Sequence, residues 1–267
     1  MQLISTRLGH LNVDVDGSGP PAVLWHSLFV DSTSWDRLRR QLATHRTLIM
    51  VDGPGHGRSG PPTGPFDVAD CAAAADEIVE SLAMPRPIDW LGNAWGGHVG
   101  VHFAAAYPQA CRSLITIASP IRGLSPKERR PILLVYYLHR LAGPRLLASP
   151  LTDELLGKKL RRSDPEAAGA VKAAFTGAAR SGMSEAIRSI SLNRADATDH
   201  LTAIKAPTLM VAGAHQKMCS AAETASWAAQ IPQGRSRTVD GSGPLAPLFD
   251  IQTAGLITDF WSESSHR

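Results

Sequence analysis

The hexapeptide Gly92-Asn93-Ala94-Trp95-Gly96-Gly97 constrains this chain more than any other stretch. It follows the short apolar run Ile88-Asp89-Trp90-Leu91 and precedes Val99, Val101, His102, Ala104, Ala105 and Ala106, a helical pattern that stops near Pro108. A strand that passes directly into a helix brings side chains into collision at the bend, and Gly92 and Gly96 relieve that collision. The residue at the tip, Ala94, is then held in a strained backbone conformation above the end of a sheet. In catalytic turns of this shape the tip carries Ser, Cys or Asp, whose oxygen or sulfur is exposed to substrate. Ala94 offers a methyl group.

The surrounding pattern predicts an α/β fold with a mostly parallel, doubly wound sheet. Leu3 to Leu8 and Leu11 to Val15 predict a hairpin turning near Gly9-His10. Further strands are predicted at Ala22–His26, Thr47–Asp52, Ile88–Leu91, Ser113–Ala118, Thr208–Gly213 and Ser236–Val239. Between them lie helices at about 34–42, 68–83, 98–106, 221–231 and 253–261. The alternation breaks after Ser119-Pro120. Residues 122–201 contain helical stretches separated by Gly143-Pro144, Ser149-Pro150 and Asp164-Pro165, and no convincing strand. This predicts a core of residues 1–121 and 202–267 with a helical insertion of 122–201 lying over its active end.

At 267 residues, with 43% hydrophobic and 19% charged content, the chain is long enough for that core and insertion. The net charge is only +3, and the denser basic stretch Lys158, Lys159, Arg161 and Arg162 reads as a solvated helix face, with no nucleic-acid partner expected. Cys71, Cys111 and Cys219 have no CxxC spacing, which argues against a disulfide framework and fits a reducing cytoplasm. No secretory signal is read at the N-terminus, and no segment reaches the roughly 18 continuous apolar residues of a membrane span, so no membrane partner is expected.

Several blocks together carry a family resemblance. His26-Ser27-Leu28 through Asp31 and Trp35, the loop Asp52-Gly53-Pro54-Gly55-His56-Gly57-Arg58-Ser59, the turn at Ala94, and Pro207-Thr208 leading to Gly213 resemble the capped α/β-hydrolase superfamily across nearly the whole chain. The His-Ser-Leu loop is similar to that of enol-lactone hydrolases and related esterases. Trp directly after the tip also occurs in epoxide hydrolases and haloalkane dehalogenases.

The resemblance implies a nucleophile at position 94, an acid after the strand ending Val211-Ala212-Gly213, and a histidine in a glycine-rich loop before the last helix. These positions fall on Ala94, Gln216 and Pro244, and none of the three side chains supplies the chemistry of a Ser-His-Asp triad. The resemblance also implies an oxyanion hole from the backbone N–H groups of Leu28 and Trp95. His26, Ser27 and Phe29 belong to the same loop. His215, Cys219, Ser242 and His26 are the candidate substitutes for the missing triad. His26 and His56 read as loop-fixing residues, His98 as packing beneath the turn and Cys219 as a small buried hydrophobe; His215 stays open as a pocket-facing residue. The apolar stretch 131–138, with Tyr136 and Tyr137, is expected to pack on itself and in part to face Ala94. With Trp25, Phe29 and Trp95 it predicts a small apolar ligand.

No cofactor or metal is expected, because no glycine-rich nucleotide loop and no HExxH-type spacing is present. Three functions remain open: a protein that binds or acts on a small apolar carbonyl, lactone or epoxide compound without the usual triad; a non-catalytic carrier or sensor; and an esterase or lactonase whose nucleophile was replaced at Ala94.

Overall fold

The structure of the protein is a computed structural model, and it describes residues 1–265. Eight strands form one sheet in the order β1-β2-β4-β3-β5-β6-β7-β8. They are β1 (Gln2–Thr6), β2 (Gly9–Asp16), β3 (Pro21–Trp25), β4 (Thr47–Val51), β5 (Ile88–Asn93), β6 (Cys111–Ile117), β7 (Thr208–Gly213) and β8 (Gly234–Val239). β2 runs antiparallel to β1 and β4, and every other pairing is parallel. All five residues of β3 and all six of β5 are buried, as expected of central parallel strands covered on both faces. The hairpin turns earlier than the sequence pattern predicts. Leu8 is buried and belongs to the turn, Thr6 Oγ1 donates to Gly9 O at 2.8 Å, and Gly9 takes the positive φ that closes it.

Helices α2 (Val68–Ser81), α3 (Trp95–Ala106) and α9 (Ala221–Ala228) cover one face of the sheet, and α1 (Asp36–Leu42) and α10 (Ile251–Ser265) cover the other. Local chemistry sets where these helices begin. Asp67 with Asp70 and Ser220 with Glu223 form reciprocal capping boxes at the starts of α2 and α9. The helix after the tip starts at Trp95, three residues before the periodicity predicts, because the chain bends at a single residue and no loop intervenes.

Between β6 and β7 the chain forms α4 (Pro126–Ala142), α5 (Arg145–Leu156), α6 (Lys158–Ser163), α7 (Pro165–Gly177) and α8 (Arg180–Ala186), then a wider π-type turn over Ile187–Leu192. α4 starts on Ser125 boxed with Glu128, with Pro126 in the first turn where its missing N–H costs nothing. The core expected from sequence runs to residue 267, whose last two positions lie outside the described residues. Among the described residues no helix is long and apolar enough to cross a membrane.

The sheet order fixes the functional end. From β3 the chain crosses to β4 on one side, and from β5 it crosses to β6 on the other, so the loops leaving β3 and β5 part above the sheet. Register pairs Trp25 with Gly92, which sets the His26–Phe29 loop beside the turn at Ala94.

Candidate active site

Ala94 has φ 47° and ψ −104°, a conformation that non-glycine residues rarely adopt. The neighbours hold it there. Its N–H donates to Ile117 O at 2.8 Å, its carbonyl accepts from the His98 N–H at 3.2 Å, and the Gly96 N–H donates to His26 O at 3.2 Å. A Cβ on Gly96 would lie 1.8 Å from Trp25 O, and one on Gly92 would lie 2.1 Å from Gly96 O, so both glycines are steric requirements of the turn. Beneath it Trp90 Nε1 donates to Gly96 O at 3.0 Å.

A cavity of about 110 Å³ opens over Ala94, between the β3 loop, α5 and the π-type turn. It is well below the ~300–1,000 Å³ of pockets for drug-sized ligands, so its occupant is small. Leu28 and Trp95 both line it, and among the described residues neither backbone N–H has an internal acceptor. These are the two residues whose backbone N–H groups the family resemblance implies as an oxyanion hole.

The loop carrying Leu28 is fixed by two buried histidines. His26 Nδ1 bonds Ser27 O at 2.7 Å and its Nε2 accepts from the Gly53 N–H at 2.8 Å, which leaves the proton on Nδ1. His56 repeats the arrangement, with Nδ1 on Pro54 O at 3.0 Å and Nε2 accepting from the Phe29 N–H at 3.3 Å. Burial, reinforced by the neighbouring His26, pulls His56 down to about 3, and burial also lowers His26. Both rings are therefore neutral at pH 7 and act as paired donor and acceptor for loop backbone. Phe29 has φ 76°, and its ring meets Phe175 of α7 edge-on at 5.7 Å. Asp52 anchors the other side of this assembly, accepting from the N–H groups of Ser32 and Arg58 and from Asn12 Nδ2.

The other sequence-predicted residues divide. Pro244, Ser27 and Phe29 line the cavity with Ala94. Gln216 is buried one layer behind; its Nε2 donates to Ala118 O at 3.3 Å and its Oε1 has no partner. Asn93 joins the layers, donating from Nδ2 to Ile117 O at 3.0 Å and Pro244 O at 2.8 Å, with Oδ1 left without a partner.

Three expectations are corrected, and Cys219 is buried as expected. His215 is exposed and lines a separate groove with Ser242 and Asp240, because its N–H bonds Gly241 O and turns the ring away from Ala94. Tyr136 and Tyr137 do not line the cavity: Tyr137 is 54% exposed, and Tyr136 Oη accepts from Arg140 Nη1 at 3.2 Å. The reason is the face that α4 presents, since Leu134, Tyr137, Leu138 and Leu141 form an i, i+3, i+4, i+7 stripe directed outward. Trp25 is fully buried under the turn, edge-on to Trp95 at 5.6 Å, and reaches no cavity. Cys219 is fully buried, and burial followed by the Glu223 charge pushes its thiol up to about 12, so it is inert.

Besides Ser191, three titratable side chains lining the cavity were not assigned to it by sequence reasoning. They are His98, Glu154 on α5, and Arg194 just after the π-type turn. His98 lies on the expected helix, but it faces the cavity wall and its buried Nε2 is unpartnered. Burial, then the nearby His102, lowers it to about 3. Glu154 and Arg194 come from the helical segment, where the sequence gives no register against the turn. Among the described residues no group of three or more His, Cys, Asp or Glu side chains is placed to hold a metal ion.

This geometry can be set beside known proteins. A pimeloyl-[acyl-carrier protein] methyl ester esterase of Xanthomonas campestris pv. campestris is 29% identical over 239 residues, covering 87% of this chain and 91% of the relative. Among solved structures, an esterase from Thermogutta terrifontis superposes with a TM-score of 0.89 at 24% identity, covering 99% of each chain. The enol-lactonase of Burkholderia xenovorans LB400 gives a TM-score of 0.85 at 22% identity, covering 95% of this chain and 96% of that one. The family model for the alpha/beta hydrolase fold matches residues 20–250, and the chain belongs to that family.

Proposed function

We propose that this protein is an atypical α/β-hydrolase that binds a small carbonyl compound over Ala94 and does not pass through an acyl-enzyme. The observation that carries the reading is an intact strained turn, with the Leu28 and Trp95 N–H groups unpaired beside it, around a tip that has no nucleophilic atom. Pro244 offers no proton shuttle and Gln216 no charge, so the three positions that the family uses as a unit are all without their chemistry. The ester substrate named for the Xanthomonas relative supports a carbonyl ligand. Donors at an oxyanion hole grip a carbonyl or enolate whether or not a nucleophile attacks it. Such a site retains ~10³- to 10⁴-fold rate enhancement in enzymes stripped of their triad, which is enough for lactone or epoxide opening or for elimination.

A carrier or sensor role, with the helical segment acting as a cap that signals occupancy, is the second reading, and the small cavity enclosed by α5 and the π-type turn favours it.

The test is mass-spectrometric turnover at high protein concentration with apolar esters, lactones and epoxides, against heat-denatured protein, for the wild type and Ala94→Ser. Ligand binding with no ester hydrolysis, and no gain from Ala94→Ser, is the expected result. A large gain from that single substitution would show that base and acid are present after all, and would sink the reading.

A further inference from the structure

The cavity over Ala94 is lined by one guanidinium, Arg194, that forms no ion pair among the described residues. Arg194 is half-buried, its Nε is buried without a hydrogen-bond partner, and among the described residues no carboxylate lies within ion-pair distance of its guanidinium. Its neighbours are differently placed. Arg122, which lies near it, is held by Glu128 and Glu223 at 2.7 and 3.2 Å. Glu154 lines the same cavity but is exposed and forms no ion pair with Arg194. A guanidinium partly removed from water, with its donors unused, is costly unless a ligand completes it. Burial, then the charge of Arg122, outweighs the more distant carboxylates of Glu128 and Asp196 and lowers the affinity of Arg194 for its own proton.

The second observation is independent. His98 is 1% exposed and lines the same cavity, and its Nε2 also lacks a partner. The ring is neutral at pH 7, held so in part by the positive charge of Arg194, and it offers a hydrogen bond with no competing charge. The Leu28 and Trp95 N–H groups form a third set of unfilled donors. The cavity is therefore lined by two kinds of unfilled polar group, the Leu28 and Trp95 N–H groups and the Arg194 guanidinium, together with the apolar side chains of Leu155, Ile190 and Met218.

We propose that the ligand is a small oxo acid or carboxylated ester: a carbonyl oxygen set against the Leu28 and Trp95 N–H groups, and a carboxylate set against Arg194. The proposal rests on the reading of this cavity as a carbonyl site and narrows it from an apolar ligand to an anionic one. A carboxylate accepts two parallel N–H bonds from guanidinium, which an ester cannot match, so Arg194 selects the free acid.

Isothermal titration of the full-length protein with pyruvate, levulinate and longer oxo acids, each beside its methyl ester, tests this without any variant. At the chain length that spans the two kinds of group the acid should bind about ten- to a hundredfold tighter than its ester, the range for a hydrogen bond to a charged group. Arg194→Gln should erase the preference by weakening acid binding to the level of the ester, and Arg194→Lys should keep part of it. Equal binding of acid and ester at every length, or a preference that survives in Arg194→Gln, overturns the anionic ligand and leaves the carbonyl site standing. Binding of neither acid nor ester at any length overturns both.

Discussion

Strand β5 carries a polar side chain near each end, and the two are treated in opposite ways. At the start, Asp89 is fully buried and saturated: it accepts from Arg46 Nε at 2.6 Å, Ser113 Oγ at 2.6 Å and Arg112 Nη1 at 3.1 Å. Arg46 in turn donates to Trp261 O and stacks over that indole, which ties β4, β5, β6 and α10 together. At the other end Asn93 uses both amide protons and leaves Oδ1 unpartnered, and around it Gln216 Oε1, His98 Nε2 and Arg194 Nε are also unpartnered. One end of the strand closes its own hydrogen bonds. The other leaves several polar atoms without a partner among the described residues.

The comparison breaks most visibly at Asp89. Asp89→Ala leaves the buried Arg46 charge uncompensated and should cost about 3–5 kcal/mol, read as a lowered urea midpoint. A loss under about 1 kcal/mol would mean the network is not the anchor described here.

Lowering the pH should strain the open end next. His56 and His98 have folded-state values of about 3, against about 6.5 unfolded. Their folded values are depressed, so the unfolded chain binds more protons as pH falls below 6.5, and stability drops continuously down to about pH 3. For these two rings together this amounts to about 2 kcal/mol between pH 6 and pH 5, with His102, lowered to about 4, and the lowered His26 and His139 adding to the same slope, and His98→Asn should remove about 1 kcal/mol of it. Urea unfolding at the two pH values measures it, and a pH-independent midpoint would contradict the neutral, buried state of both rings.

A smaller effect is expected at Gln216. Its one long hydrogen bond and unpartnered Oε1 contribute little, so Gln216→Leu should change stability by less than about 1 kcal/mol, in contrast to Asp89. Thermal melts of the two variants side by side sharpen the contrast, and a Gln216→Leu loss as large as that of Asp89→Ala would erase it.

The architecture was legible because it is local. The central strands β3, β4, β5 and β7 are short, largely apolar runs bracketed by Gly, Pro or Asp, and Gly92 and Gly96 announce the turn because only glycine survives the approach of Trp25 O and Gly96 O. The framing loop was legible for the same reason, since His26 and His56 bond backbone within two residues of themselves in sequence. What failed was long-range. Which face of α4 meets the core depends on α5 and α8, and the outward stripe of Leu134, Tyr137, Leu138 and Leu141 shows that apolarity alone misplaced Tyr136 and Tyr137. Arg194 carried no signal at all in the sequence. It lies just beyond the mixed stretch Ile187–Leu192, and the π-type turn places it on the cavity over Ala94.

The central claim, that Ala94 presides over a binding site with no acyl-enzyme, meets its most direct test in intact-mass spectrometry after incubation with an activated ester or a fluorophosphonate. The account predicts an unchanged protein mass for the wild type and for Ala94→Ser alone, under conditions where the ester demonstrably binds. A stoichiometric acyl or phosphonyl adduct on the wild type would reveal a nucleophile elsewhere in the cavity and contradict the account.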